Sequence, residues 1–478
     1  MIFRTSPRVL LASGLFVVGV FLLPMSVFAA EKNARKPEIK VYDRAATSTI
    51  SAFSAFADSY RGGATVAVGD VNGDGKGDII VGAGPGGGPQ VRVFTAEGTI
   101  LTQFFAYGKN YRGGVKVASC DFDGDGLNEI VVGTGQGGAP QVRILTWWGE
   151  AKFTPGFYPF AKKFRGGVNV ACGDVNGDGN TDVVVGVGIG ASPHVRVFDR
   201  YGKPLDINIY PYADRDRGGV SVAVGNVDGG REAEIITSIY RFGRSLVKVY
   251  KGDAKDSIVG QFEGWPERVQ GGFHVAAGNV DSDANDEVLV ALASGGGPQV
   301  RAFEAYGKPL SQNFFPYESA FRGGVNAAVG DVNGDGVEEI VTAPGRNTIE
   351  GSTKYQKYIE VRLGEQRLYA YENGVIAKTF LVSTGIVKYP TPEGTFAVQA
   401  KIPIKDYEWS YGPDHPDNYD IKDVKWNLRF TTGYYLHYAF WHNNFGRRMS
   451  HGCVNINREN SEWIYNWADV GTPVIIKQ

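Results

Sequence analysis

Short apolar segments of the β type recur with a constant period through residues 37–345. Each segment ends at a loop rich in acidic and amide side chains. The loops begin at Asp70, Asp121, Asp174, Asn226, Asn279 and Asp331. The intervals between them are 51, 53, 52, 53 and 52 residues. A fixed period of this length indicates a repeat architecture, in which each repeat is one supersecondary unit.

Each repeat contains four short apolar segments. In the first repeat, an Arg-Gly-Gly turn precedes a strand that ends at Asp70, and further strands are predicted at residues 78–82, 90–94 and 104–107. Glycine-rich turns separate them. Four short strands in a unit of this length are typical of one blade of a β-propeller.

The two ends of the repeat region are each half a unit. Residues 39–42 and 50–57 match the third and fourth strands, whereas the unit at 322–345 has only the first two. Joining the halves completes one blade and leaves no open sheet edge. The sequence therefore predicts a six-bladed propeller of four-stranded blades, closed by the N-terminal strands.

The pattern changes after residue 345. Residues 346–358 are polar and lack the period, which predicts a linker. Strands are then predicted at 359–363, 367–371, 378–383, 394–400 and 473–476, with an Asn-Gly hairpin turn at 373–374 and one helix at 459–469. We expect a small, mostly β domain over residues 359–478, so the whole chain is all-β and multidomain.

The N-terminus has the pattern of an export signal. Arg4 and Arg8 precede an apolar run over residues 9–27, and small residues end at Ala29. We predict a signal peptide over residues 1–29, with an uncleaved membrane anchor as the alternative. Either way the rest of the chain is expected in the cell wall, the periplasm or the extracellular space.

The net charge and the cysteine content limit which partners and which cross-links are expected. The formal net charge is −2 and no long basic tail exists, so nothing indicates a nucleic-acid partner. Three cysteines make a poor disulfide framework for an exported chain. Cys120 and Cys172 occupy nearly equivalent places in adjacent repeats, and we predict that they are small buried residues and not a disulfide. Cys453 is then an unpaired thiol.

The acidic loops have the spacing of a calcium site. Oxygen-bearing side chains alternate along each loop, a glycine marks the sharp turn, and a fourth acid follows, which suits the oxygen cage of Ca²⁺. The complete copies comprise Asp70, Asn72, Asp74 and Asp78; Asp121, Asp123, Asp125 and Glu129; Asp174, Asn176, Asp178 and Asp182; and Asp331, Asn333, Asp335 and Glu339. The copies at Asn226 and Asn279 are degraded. Ordinary acidic turns are the alternative.

These repeats resemble the FG-GAP repeats of integrin-α-like propellers. The resemblance implies structural Ca²⁺ in the loops and a binding or spacer role for the ring. A carbohydrate or protein ligand would need exposed aromatic side chains. The candidates are Trp147, Trp148, Tyr210, Tyr212 and Tyr317, with packing between blades as the alternative.

The C-terminal domain contains the chemistry of an acyl transfer. Cys453 lies in the run Ser450-His451-Gly452-Cys453-Val454-Asn455, sixteen residues after His437. A thiol becomes a nucleophile when a nearby base takes its proton, and histidine does this near neutral pH. His442 is a competing base, but His437 ends an apolar strand and is the better candidate. Ser-His-Gly-Cys lacks common zinc spacing, so no metal is expected in catalysis.

The motifs of this domain resemble those of L,D-transpeptidase catalytic domains. The motifs are Gln366, 383–385, 391–396, 435–437, 445–446 and 450–455. The resemblance implies that peptidoglycan stem peptides are the substrates and that 3→3 cross-links form through a Cys453 acyl-enzyme with loss of D-Ala.

The same resemblance implies a role for each residue of the motif. His437 moves the proton, Ser450 and His451 shape the turn, and the N–H groups of Gly452 and Cys453 form the oxyanion pocket. The alternatives are an L,D-carboxypeptidase, an enzyme that anchors proteins to peptidoglycan, and a calcium-dependent adhesin without activity.

Overall fold

The computed structural model describes residues 37–478 except 215, 241–243, 254–256, 267, 268, 270, 295, 296, 320, 347–354, 356, 373, 374, 411, 414, 416 and 417. The predicted signal peptide, most of the predicted linker and the Asn-Gly turn lie outside the described residues. Among the described residues, no helix combines the length and the apolar character that crossing a membrane requires.

The repeat region consists of antiparallel strands in six small sheets. Its strands are β1 (Glu38–Tyr42), β2 (Thr49–Ser54), β3 (Ala64–Gly69), β4 (Asp78–Ala83), β5 (Gln90–Phe94), β6 (Ile100–Phe105), β7 (Val115–Cys120), β8 (Glu129–Thr134), β9 (Val142–Leu145), β10 (Val168–Gly173), β11 (Asp182–Val187), β12 (Val195–Phe198), β13 (Pro204–Ile209), β14 (Val220–Gly225), β15 (Glu234–Ile239), β16 (Leu246–Tyr250), β17 (Ile258–Glu263), β18 (Phe273–Gly278), β19 (Glu287–Leu292), β20 (Val300–Phe303), β21 (Pro309–Phe314), β22 (Val325–Gly330) and β23 (Glu339–Pro344).

The sheets follow the period of the sequence. Four of them have the orders β3-β4-β5-β6, β10-β11-β12-β13, β14-β15-β16-β17 and β18-β19-β20-β21. The second strand of each of the six sheets is buried along its whole length, as in β4 and β11, because it lies in the middle of a sheet that is covered on both faces. This burial explains the continuous apolar runs of these strands. The fourth strands, such as β6, alternate between exposed and half-buried residues.

The N-terminal strands complete the last repeat, as predicted. The sixth sheet has the order β2-β1-β23-β22, and Lys40, Val41 and Tyr42 of β1 pair with β23. The first strands of successive sheets contact one another in turn, and β22 contacts β3. At that last junction the Asn326 side-chain amide donates to the Ala64 carbonyl at 2.8 Å.

The second sheet differs from the predicted four strands. It contains only β7, β8 and β9, and the segment that follows joins them by two isolated bridges, Val142 with Phe157 and Leu145 with Ala151. Phe153 has a φ of 64° and Pro155 lacks an N–H, so the segment cannot form a regular ladder. The outer edge of this repeat is therefore irregular.

The prediction for two of the cysteines was wrong. Cys120 and Cys172 form a disulfide with a Cα–Cα distance of 6.2 Å, and both are only partly buried. These nearly equivalent positions at the ends of β7 and β10 lie beside each other because neighbouring sheets pack through their first strands. Cys453 is the free cysteine, as expected.

Removing this disulfide is expected to destabilise the repeat region. The bridge closes a loop across a separation of 52 residues, and constraining the unfolded chain over such a loop stabilises a fold by about 2–4 kcal/mol. Denaturant unfolding of Cys120→Ala/Cys172→Ala should show this loss, whereas Cys453→Ala should unfold like the wild type. An unchanged midpoint in the double variant would contradict a formed disulfide.

The described residues of the C-terminal domain form nine strands and one helix. These elements are β24 (Lys357–Arg362), β25 (Arg367–Glu372), β26 (Val375–Leu381), β27 (Gly394–Ala397), β28 (Ala400–Trp409), β29 (Tyr419–Thr431), β30 (Tyr434–Tyr438), β31 (Val454–Ile456), α1 (Arg458–Trp467) and β32 (Pro473–Lys477). The predicted strands at 359–363, 367–371, 378–383, 394–400 and 473–476 and the predicted helix correspond to β24, β25, β26, β27, β32 and α1. The long hairpin of β28 and β29 was not predicted.

Two sheets enclose the core of this domain. Their orders are β26-β25-β24-β32-β27 and β28-β29-β30-β31. Ile359, Leu428, Val454 and Ile464 belong to one buried apolar cluster that joins both sheets and α1. The Asn457 side chain accepts the N–H of Asn460 and thereby caps α1, which begins directly after β31. The second sheet is thus held firmly where Cys453 and His437 lie.

Candidate active site

Cys453 and His437 lie on neighbouring strands of the second sheet. β30 and β31 are parallel, with Leu436 opposite Val454 and His437 opposite Asn455. Cys453 directly precedes β31. Paired side chains point to the same face of a sheet, so His437 and Asn455 share a face, and Cys453 stands two residues before Asn455 in the turn that enters β31. The structure thus places the predicted base on β30 and the predicted nucleophile at the entry to the adjacent strand.

His437 is oriented by a backbone carbonyl. Its side chain is buried, and Nδ1 lies 2.9 Å from the Tyr438 carbonyl oxygen. Because a carbonyl only accepts, Nδ1 carries the proton and Nε2 keeps a lone pair in the neutral ring. Burial lowers the pKa of His437 to about 4, against the hydrogen bond to Tyr438. The ring is therefore a neutral base at neutral pH.

His442 is engaged at both ring nitrogens. Nδ1 accepts the N–H of Asn444 at 3.2 Å, and Nε2 lies 3.1 Å from the side-chain amide of Asn455. A ring held in this way has no lone pair for the thiol. His442 is therefore the less suitable base, and His437 stays the predicted one.

The Cys453 thiol is partly buried beside the end of β30. Sγ lies 3.9 Å from the Gly433 carbonyl oxygen. Burial raises the pKa of Cys453 to about 11, although the N–H of Tyr435 and the charge of Lys405 oppose the rise. The resting pair is thus a neutral thiol and a neutral imidazole. Proton transfer must accompany attack on a substrate.

Ser450 closes the turn that presents the thiol. Its Oγ accepts the N–H of Gly452 at 3.1 Å and donates to the carbonyl of Cys453. The Gly452 N–H therefore points at Ser450 and not into an open oxyanion pocket, which differs from the expected role. The N–H of Cys453 has no acceptor among the described residues, so it can bind a substrate oxygen.

Gly452→Ala is expected to disrupt this turn. Gly452 has a φ of 110°, and a Cβ there would lie 2.5 Å from Cε1 of Tyr434. Backbone strain of this kind costs about 1–3 kcal/mol, and the clash adds to it. Thermal unfolding and the rate of Cys453 alkylation would measure the change. Gly471→Ala is the matched control, because Gly471 has a φ of 94° with open space around it. Equal behaviour of the two variants would contradict the clash.

His451 lies between two tyrosine rings. Its ring centroid is 4.7 Å from that of Tyr389 and 5.2 Å from that of Tyr419, and the residue is exposed. Tyr419 belongs to β29 and Tyr389 to the loop before β27. His451 therefore connects the catalytic turn to both of these segments, which fits the predicted role in shaping the turn.

Three residues of the unpredicted hairpin complete the site. The Tyr407 ring packs on His437 with centroids 4.9 Å apart, and its hydroxyl donates to Oδ1 of the buried Asn427 at 2.8 Å. Lys405 Nζ lies over the rings of Tyr407 and Tyr435. The pairing register of β28 shifts between Lys405 and Tyr407, so alternation along the strand offered no simple signal for these residues in the sequence.

Motifs that are distant in sequence support the catalytic turn. The Gln366 side chain bonds Thr384 twice, to its N–H and to its hydroxyl. The Thr384 carbonyl accepts the N–H of Ser450 at 3.1 Å, and the Gly385 N–H donates to Thr391 Oγ1 at 2.8 Å. The residues around 366, 383–385 and 391 thus hold the segment on which the turn rests.

The acidic loops have the geometry of preformed turns. In the first loop the Asp70 carboxylate accepts the N–H groups of Gly73 and Gly75, and the same pattern recurs in the loops of Asp121, Asp174 and Asp331. In the third loop the buried Oδ2 of Asp182 has no hydrogen-bond partner among the described residues. A buried carboxylate oxygen without a partner, in a loop with further acids, fits a bound Ca²⁺.

Carboxylate groups lie close together in the fifth and second loops. In the degraded fifth loop Asp281, Asp283 and Glu287 bring carboxylate oxygens within 4.8 Å of one another, and the buried Oε1 of Glu287 has no hydrogen-bond partner in the described part. In the second loop Asp121, Asp123 and Glu129 also bring carboxylate oxygens within 4.8 Å of one another, and Nζ of Lys152 contacts Asp123, Asp125 and Glu129.

The aromatic candidates divide into exposed and packed residues. Trp148 and Tyr210 are exposed by 52% and 63%. Trp147 packs on an apolar cluster, and the Tyr212 hydroxyl donates to the Leu246 carbonyl. Tyr317 is buried. Only the first two have the exposure that a ligand surface needs.

Comparison with known proteins matches both parts of the chain. A family model of the L,D-transpeptidase catalytic domain (YkuD) matches residues 356–476. Models of the FG-GAP-like repeat and the FG-GAP repeat match residues 121–185 and 62–96.

Individual relatives match the C-terminal region. The Mycobacterium tuberculosis protein named Probable L,D-transpeptidase 3 is 35% identical over 118 residues, which are 23% of this chain and 42% of that protein. L,D-transpeptidase 1 of the same organism is 30% identical over 21% of this chain and 43% of its own length. The crystal structure of an Enterococcus faecium L,D-transpeptidase is 26% identical, covers 26% of this chain and 50% of its own, and has a TM-score of 0.24. The chain thus spans less than half the length of these curated relatives.

Proposed function

Residues 356–476 form an L,D-transpeptidase catalytic domain that follows FG-GAP repeats, and on this premise we propose that the chain is an exported peptidoglycan L,D-transpeptidase that forms 3→3 cross-links. The observation that carries the proposal is the buried His437. Its Nδ1–H is fixed by a carbonyl, its Nε2 has no hydrogen-bond partner among the described residues, and its strand pairs with the strand that Cys453 enters.

The first half of the reaction forms a thioester. The Cys453 thiol gives its proton to Nε2 of His437 while Sγ attacks the carbonyl carbon of the third residue of a tetrapeptide stem. The Cys453 N–H is positioned to bind the oxyanion that develops. His437 then gives the proton to the nitrogen of D-Ala, the C–N bond breaks, and D-Ala leaves.

The second half transfers the acyl group. The side-chain amine of a neighbouring stem's third residue attacks the thioester carbon and loses a proton to His437. The new C–N bond forms, the C–S bond breaks, and Cys453 recovers its proton. Water as the acceptor would make the enzyme an L,D-carboxypeptidase, and a protein amine would make it an anchoring enzyme.

Incubation of the full chain with disaccharide-tetrapeptides tests this proposal. Mass spectrometry should show a cross-linked dimer that has lost one D-Ala. Formation of disaccharide-tripeptide alone would instead identify a carboxypeptidase. Unchanged substrate would support the non-enzymatic adhesin.

We also propose that the six sheets form a closed six-bladed propeller whose loops bind structural Ca²⁺. The contact between β22 and β3 and the shared sixth sheet support closure. In the first, third and sixth loops the residues that would hold the ion are Asp70, Asn72, Asp74 and Asp78; Asp174, Asn176, Asp178 and Asp182; and Asp331, Asn333, Asp335 and Glu339. Ca²⁺ would neutralise carboxylates that are otherwise crowded.

The exposed Trp148 and Tyr210 make the propeller a candidate surface for carbohydrate or protein at the cell envelope. Equilibrium dialysis against Ca²⁺ and thermal unfolding with and without chelator test the metal sites. Ca²⁺ should raise the melting temperature, and no bound Ca²⁺ would refute them.

A further inference from the structure

The second acidic loop already contains a cation. Nζ of Lys152 lies 2.6 Å from Glu129 Oε1, 2.8 Å from Asp123 Oδ2 and 3.4 Å from Asp125 Oδ2. These are three of the four side chains that the calcium pattern assigns to this loop. An ammonium is a compact cation with three donors, so it meets all three carboxylates from one position.

Lys152 stands where three other repeats have a leucine. A turn containing a glycine follows the third strand, and the position of interest lies three residues after that glycine. It is Leu101, Leu205 and Leu310 in the first, third and fifth repeats, and each leucine packs on an apolar cluster. In the second repeat that position is Lys152. Its N–H donates to the Ile144 carbonyl, which holds its backbone beside β9.

The second loop also has one more negative charge than the other complete loops, which matches the additional positive charge of Lys152. The second oxygen ligand is Asn72, Asn176 and Asn333 in the other complete loops, but Asp123 in this one. The second repeat therefore has one more acid than the other complete loops, and its additional lysine contacts that acid. In the irregular segment after β9, this lysine reaches the loop of its own repeat.

The ammonium and a calcium ion cannot share this loop. Ca²⁺ requires oxygen ligands at about 2.3–2.6 Å, and the same oxygens already contact Nζ at 2.6–3.4 Å. Two cations so close together would repel strongly. We propose that Lys152 is a tethered counter-ion that replaces Ca²⁺ in the second loop, so that this loop holds its turn without metal. This inference rests on the proposed binding of Ca²⁺ by the other loops.

The fourth loop shows a weaker form of the same arrangement. Nζ of Lys251 lies 3.0 Å from Asp228 Oδ2 and 4.0 Å from Glu234 Oε1. This loop lacks the third acid, and its lysine comes from the residue after β16. A lysine thus approaches two of the six loops, each from the third-strand side of its own repeat.

Calcium counting on full-chain variants tests the inference. Bound Ca²⁺ per chain is measured by equilibrium dialysis with metal analysis, at a concentration that saturates the wild type. Lys152→Leu/Asp123→Asn gives the second repeat the residues of the first and third, so it should bind one Ca²⁺ more than the wild type. Lys109→Leu removes an exposed lysine that lies outside the acidic loops, and the number of bound Ca²⁺ ions should not change.

Single ligand removals locate the ions without depending on a gained site. Asp125→Ala should leave the wild-type count unchanged, whereas the matched change in the third loop, Asp178→Ala, should lower it by one. A loss of one Ca²⁺ in Asp125→Ala, or an unchanged count in the Lys152→Leu/Asp123→Asn variant, would overturn the inference while the calcium propeller stands. No bound Ca²⁺ in wild type or any variant would overturn the calcium proposal itself, and this inference with it.

Discussion

Replacing Cys453 by alanine is expected to abolish conversion of the tetrapeptide donor. The thiol is the free cysteine of the described chain, and its turn leads directly into β31, which pairs with the strand of His437. Removal of a covalent nucleophile typically lowers the rate by about 10⁴-fold or more. Mass spectrometry of muropeptides after incubation with the full chain would measure the loss of both the cross-linked product and the thioester adduct.

The fold of this variant should survive. Cys453 makes only a long contact to the Gly433 carbonyl, so its thermal unfolding should match that of the wild type. Cys453→Ser retains a weaker nucleophile in the same turn and should also lose most of the activity. Cross-linking at more than about a hundredth of the wild-type rate in Cys453→Ala would show that another group carries the acyl chain.

His437→Gln is expected to lower turnover by about 10²- to 10⁴-fold, the usual contribution of a general acid–base group. A glutamine amide can still donate to the Tyr438 carbonyl, so the fold should be retained while the proton acceptor is lost. Muropeptide turnover would measure the effect. His442→Gln is the matched control, since His442 contacts Asn455 and the Asn444 N–H, and its loss should be much smaller.

The pH dependence provides a second readout of the same pair. The pKa of His437 is lowered to about 4, so its base form is present above pH 5 and is lost only as the pH falls through about 4. The pKa of Cys453 is raised to about 11, so alkylation of the resting thiol by iodoacetamide should rise about tenfold per pH unit from pH 7 to 10. A plateau of alkylation already below pH 7 would instead identify a preformed thiolate–imidazolium pair.

The elements that could be predicted from sequence are those with a local signal. The period of the acidic loops located β3 to β23, and alternation located β24, β25 and β26. The half-repeats at both ends predicted that β1 would pair with β23, because two incomplete sheets lose edge hydrogen bonds unless they join. The hairpin of β28 and β29 was missed, since its residues alternate weakly and β28 has no buried residue.

The sequence by itself determined which side chains carry the chemistry. The spacing along one strand or one turn is enough to predict the roles of Cys453, His437 and the acids of the loops. Tertiary structure decided which of these groups are available, because that depends on neighbours far away in the chain. It paired Cys120 with Cys172 by packing two repeats together, turned the Gly452 N–H towards Ser450, and covered His437 with Tyr407. It also placed the Lys152 ammonium among the acids of the second loop, where the order of residues alone indicated only another calcium site.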